Sequence, residues 1–118
     1  MRRNLFLLLL LSTSCMRESR MQIRVAASSA NPQPVEDIVV AIGGQQKHPV
    51  RPLKPGEFHE FTVSLRTTQS MVLYWRAGNR QVSWEGPDLD ARRVRALHLL
   101  VELHPDPKHP VRHRMFRR

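Results

Sequence analysis

The sequence predicts an all-β protein, a small antiparallel β-sandwich that follows a signal peptide. Three observations lead there. Apolar and polar residues alternate with a period of two in one stretch after another, as half-buried strands require. Turn-forming pairs, Gly43-Gly44, Pro55-Gly56 and Gly78-Asn79, separate those stretches at close spacing. The segment 21–104 contains no cysteine and is long enough for only one domain with a thin core.

Charge is distributed unevenly along the 118 residues, which carry a formal net charge of +9. Residues 21–107 hold ten basic and nine acidic side chains and are close to neutral. Residues 108–118 hold Lys108, Arg112, Arg114, Arg117 and Arg118 with no acid. The high isoelectric point therefore belongs to the chain ends. It does not mark the domain as a nucleic-acid-binding fold.

The elements follow in order. Met21, Ile23, Val25 and Ala27 share one face of a first strand, with Gln22, Arg24 and Ser28 opposite. Residues 29–34 carry Asn and two prolines and read as a loop. Val35 to Ile42 is a second strand, and Gly43-Gly44 a two-residue hairpin signal, because glycine reaches the positive φ such turns need. The return arm, Gln45 to Val50, contains Lys47 and Pro49. Proline cannot donate to a ladder, so this is an edge strand, with His48 exposed upon it. Residues 51–57 form a turn bent at Pro55-Gly56. From Phe58 to Arg66, His59, Phe61, Val63 and Leu65 point one way, with His59 at the core margin.

Met71–Arg76 and Arg80–Glu85 make a second hairpin about Gly78-Asn79. A two-residue turn sets Trp75 opposite Val82 and Leu73 opposite Trp84, gathering both tryptophans with aliphatics on one face. A three-residue turn would instead oppose Val72 and Tyr74 to Trp84 and Val82. Two periods compete over 89–103. Val94, Leu97 and Val101 fit a helix capped at Asp88 or Asp90. Leu97, Leu99, Val101 and Leu103 fit a strand, and the β-rich neighbours favour a strand from about Arg95. Pro105, Pro107 and Pro110 then interrupt regular structure, so 105–118 is expected to be a disordered basic tail.

The first fourteen residues are a leader. Met1-Arg2-Arg3-Asn4 is basic, Leu5 to Leu11 is unbroken hydrocarbon, and Ser12-Thr13-Ser14 are small. The apolar run is far shorter than the roughly 20 residues of a membrane span, which marks a cleavable signal peptide. Leu11-Ser12-Thr13-Ser14-Cys15 resembles the lipobox of bacterial lipoproteins, although Ser12 stands where that family carries an aliphatic residue. The resemblance implies cleavage before Cys15, acylation of its thiol, and a lipid-anchored tether over 15–20. It also implies a cell-envelope, periplasm-facing location on the inner or outer membrane. Cys15 is the chain's only cysteine, so no internal disulfide can form.

The succession of strand, long loop, hairpin, turn, strand, hairpin and final strand resembles the layout of immunoglobulin-like sandwiches, without their paired cysteines. Such a layout does not specify function.

Catalytic constellations are missing from the sequence. It has no Gly-x-Ser-x-Gly elbow, and Gly43-Gly44 lacks the lysine and helix of a phosphate loop. Glu57 and Glu60, three apart on a strand, diverge, as do Glu36 and Asp37. The chain is therefore read as a non-enzyme with no cofactor, no small-molecule substrate and no nucleic-acid partner. Its expected partners are the membrane, through acylated Cys15, and an envelope protein. The leading expectation is a binding or structural accessory module. The alternative uses the tail: His104, His109 and His113 as candidate metal ligands, and Lys108, Arg112, Arg114, Arg117 and Arg118 as a polyanion-binding cluster.

Overall fold

The computed structural model describes residues 19–92 and 97–117. The segment expected to be a signal peptide (1–14), Cys15 and Arg118 lie outside the described residues. Among the described residues eight strands follow one another: β1 (Ser19–Ala27), β2 (Val35–Ile42), β3 (Gln46–Val50), β4 (Phe58–Leu65), β5 (Met71–Ala77), β6 (Arg80–Glu85), β7 (Leu97–Leu103) and β8 (Val111–Arg117). They form two four-stranded sheets, ordered β4-β1-β7-β8 and β3-β2-β5-β6. The fold is the all-β sandwich expected from the alternation.

Among the described residues every strand pairing is antiparallel except β1 with β7, which is parallel. Consecutive strands β1 and β2 lie in different sheets, whereas in immunoglobulin constant domains the first two strands share one sheet. The loop 28–34 makes this crossing, and buried Asn31 holds it. The Asn31 Nδ2 donates to the carbonyls of Ser28 and Leu103, both at 2.9 Å. The Ser28 amide also donates to Leu103 O, at 2.9 Å. Asn31→Ala strips a buried carboxamide and leaves buried carbonyls short of donors, a cost of about 1–3 kcal/mol. Urea unfolding of the variant should show that loss, and an unchanged midpoint would contradict it.

One apolar cluster fills the space between the sheets. Ile23 and Val25 of β1 and Leu99 and Val101 of β7 join Ile38 and Val40 of β2 and Leu73 and Trp75 of β5. A histidine and an aromatic ring close each open side. His48 of β3 stacks on Phe61 of β4 with centroids 5.0 Å apart. Trp84 of β6 meets His113 of β8 at 5.1 Å. His48, expected to be exposed, is half-buried, because its position opposite Val40 turns it inward. Its Nε2 is enclosed and makes no hydrogen bond among the described residues. His59 does sit at the core margin, 6.1 Å from Phe61.

Three further expectations are corrected. The first strand starts at Ser19 rather than Met21, since Ser19 and Arg20 pair with Leu65 and Ser64. The tether proposed over 15–20 therefore loses its last two residues to the sheet. The β2–β3 loop has three residues, Gly43 to Gln45, because Ile42 pairs with Gln46. Both glycines take positive φ, 63° and 73°. The strand expected from about Arg95 is β7, described from Leu97, with 93–96 outside the described residues. Most consequentially, the supposedly disordered tail contains β8, paired along its whole length with β7 from Leu103↔Val111 to Leu97↔Arg117. The prolines that suggested disorder stop at Pro110 and only bend the connection. Beyond them, 111–117 is free of proline and can join a ladder.

The second hairpin has the two-residue register, with Ala77↔Arg80, Trp75↔Val82 and Leu73↔Trp84. Gly78 has φ 63° and Asn79 does not take positive φ, the sign pattern of a type II′ turn. The turn Lys54–Glu57 places Gly56 at φ 87°. The Glu57 carboxylate accepts the Lys54 amide at 2.8 Å and lies 3.5 Å from Arg51. That backbone bond, and then Arg51, hold its pKa below the usual 4.5. A depressed folded value means the bond's contribution is present above 4.5 and lost as pH falls through the folded value. The difference in unfolding midpoint between the native chain and Glu57→Gln should therefore shrink on acidification. A difference that grows would reverse the assignment.

Candidate functional site

The inner positions of β1 are odd-numbered and buried, so its even-numbered side chains lie on the outer face of the first sheet. The registers arrange that face in rows across β4, β1, β7 and β8. One row reads Thr62–Gln22–His98–Phe116. The next reads Glu60–Arg24–Leu100–Arg114, and the third Phe58–Ala26–Glu102–Arg112. Arg24 bonds Glu60 at 2.9 Å and lies 4.3 Å from the Phe58 ring centroid. Arg114 lies 5.2 Å from the Phe116 ring, which stacks on His98 at 5.3 Å with planes 13° apart. A guanidinium over a ring face is held by the ring quadrupole, so both arginines are oriented. Between them lies an open cleft of about 400 Å³ bounded by Gln22, Arg24, Glu60, His98, Arg114 and Phe116.

The predicted basic cluster is divided by this geometry. Arg112 and Arg114 share the outer face, while Arg117 falls on the other side of β8. Lys108 lies in the connection before β8, where its amide donates to the Asp106 carboxylate at 3.0 Å. Among the described residues, Arg112, Arg114 and Arg117 have no carboxylate within ion-pair distance. The tail histidines separate too. His104 Nε2 lies 2.5 Å from the Glu102 carboxylate, His113 packs on Trp84, and His109 is exposed in the connection. No group of three metal donors occurs among the described residues.

A second cleft, of about 410 Å³, lies on the other sheet between Asp37, Tyr74, Arg76, Gln81 and Ser83. A bulge creates it. Between the pairs Glu36↔Arg76 and Val39↔Tyr74, β2 carries one residue more than β5. The first residue of the bulge, Asp37, adopts φ 53°, a left-handed value aspartate tolerates better than most. This turn brings together the carboxylates that the sequence reading set apart. Both Glu36 and Asp37 contact Arg76, Asp37 at 3.0 Å. The guanidinium is thus occupied, and the cleft offers little free charge.

Sequence reasoning missed Arg24, Phe58, His98 and Glu60 as parts of one surface. Their polar-face parity was visible, but the parallel β1–β7 pair that places Arg24 beside Leu100 and Arg114 was not. These features define a β-sandwich carrying one preorganised, arginine-rich outer face. No protein-family model, curated protein or solved structure matches the chain.

Proposed function

We propose that this chain is an exported, lipid-anchored, non-catalytic binding module whose working surface is the outer face of the first sheet. The observation that carries the reading is the pair Arg112 and Arg114, exposed, without carboxylate partners among the described residues, and continuous with the ring-stacked Arg24. Surface arginines held by aromatic rings lose less conformational freedom on binding than free ones.

The anchor is proposed from the lipobox-like run ending at Cys15. Four residues then reach β1, a span of at most about 14 Å. Acylation would hold the Ser19 end of the sandwich beside the membrane, with the loop 28–34 and the start of β8 farthest from it. Intact mass of the membrane-extracted protein tests this. Expected is a chain beginning at Cys15 with acyl mass added, and Cys15→Ala should release it from the membrane. Full-length protein, or attachment insensitive to that change, would reject the anchor.

The surface is tested separately. Arg24→Glu with Arg114→Glu should abolish crosslinking to the envelope partner while leaving the circular dichroism spectrum intact. Unchanged crosslinking would exclude the face. A polyanion is the second reading, favoured by the two guanidinium groups bordering one cleft. Salt-sensitive retention on a sulfated or phosphorylated polymer, lost in the same double variant, would support it.

A further inference from the structure

We propose that the free edge of β8 takes up an extended acidic segment of a partner protein as a ninth strand, and this rests on the binding-module reading above. The sandwich has four edges, and they differ. β3 carries Pro49 and Lys47, both of which hinder pairing. Two outward carbonyls of β4, one at each end of the strand, receive side-chain donors, Arg51 at Phe58 O and Gln46 at Ser64 O. β6 has six residues between Gly78-Asn79 and Gly86-Pro87. β8 has seven residues, no proline, and no side-chain hydrogen bond to its backbone among the described residues.

The direction of its free groups can be read from the ladder. The His104 amide donates to Pro110 O at 2.8 Å, so that pair is a hydrogen-bonded one. In an antiparallel pair the bonded positions alternate, so Arg112, Arg114 and Phe116 bond inward to β7. The backbone groups of Val111, His113, Met115 and Arg117 therefore point at the open edge. An added strand would bond there, about 4.8 Å from β8.

Charge selects the occupant. On the outer face the new strand would place alternate side chains beside Arg112 and Arg114, and carboxylates there would find unpaired guanidinium groups. On the inner face, the intervening side chains would meet Met115 and the half-buried Trp84, so apolar residues fit. A second copy is disfavoured, because an antiparallel β8–β8 pair centred on Arg114 sets that arginine against itself. The partner segment is thus an alternating acidic and apolar stretch of about five to seven residues, the β-augmentation mode of recognition.

The test uses the full chain in detergent and labelled synthetic heptapeptides, followed by fluorescence anisotropy. An alternating Glu/Val peptide should bind saturably. Binding should weaken about tenfold or more when the same residues are arranged in blocks, or when alternate peptide amides are N-methylated. Arg114→Glu should weaken it similarly, with Arg114→Lys retaining part and Arg80→Glu on β6 none the worse. Equal binding of the N-methylated peptide would overturn strand addition. So would Arg114-dependent binding to phosphatidylglycerol vesicles with no peptide bound, which would indicate a lipid surface. Failure of every peptide while envelope crosslinking still depends on Arg24 and Arg114 would sink this inference and leave the binding-module reading standing.

Discussion

Replacing Trp75 with alanine is expected to destabilise the domain by about 3–5 kcal/mol, the range for a large buried aromatic. Trp75 is 2% exposed and lies in β5 between two different neighbours. On one side it pairs with Val82 of β6. On the other lies the bulge of β2, where two residues oppose one, and Ile38 fills the core beside it. A small domain has few ways to collapse into the space left by an indole. Total stability for such domains is about 5–15 kcal/mol, and each kcal/mol moves the melting temperature of a 60–100-residue domain by roughly 4–8 °C. A fall in Tm of more than about 12 °C is therefore expected by circular dichroism. Trp84→Ala should cost less, because that ring is only partly buried against His113. Equal losses for the two variants would mean that the core is not centred on Trp75.

Ending the chain at Leu103 is the second change expected to act strongly. It removes β8, and with it seven cross-strand pairs along β7. At about 0.2–1 kcal/mol per pair, the loss is about 1–7 kcal/mol. It also uncovers Trp84 and turns β7, with Leu99, Val101 and Leu103 on its inner face, into an unprotected edge. Lower urea midpoints and concentration-dependent aggregation should follow. A truncated chain that unfolds at the native midpoint would restore the disordered tail that the prolines suggest. Because of this, a tail deletion cannot separate tail binding from folding, whereas Arg114→Glu can.

Much of the fold was legible because alternation reports burial directly. β1, β4 and β5 each show apolar residues at every second position, and each turns that face inward. The Gly78-Asn79 hairpin was legible for a local reason: its register follows from the turn length. Other features depended on contacts distant in sequence. Leu53 sits in a stretch read as a turn, yet it is fully buried through a bridge to Val35. Leu89 is buried in the same way opposite Gln69. A single apolar residue between polar neighbours carries no period, so no local pattern announces it.

The candidate surface divides along the same line. The sequence alone determined the strands before β8, most of their faces and the concentration of positive charge after Pro107. It also carries the run ending at Cys15, from which the anchor is proposed. Only the tertiary structure decided that Val111–Arg117, within that basic stretch, form a strand. It also decided that β1 runs parallel to β7, bringing Arg24 into one face with Arg112 and Arg114. The physical reason is that a strand's face is set by neighbours one and two residues away, whereas its partner is set by the packing of the whole sandwich. Two strands separated by some 70 residues leave no mark of their adjacency in either segment.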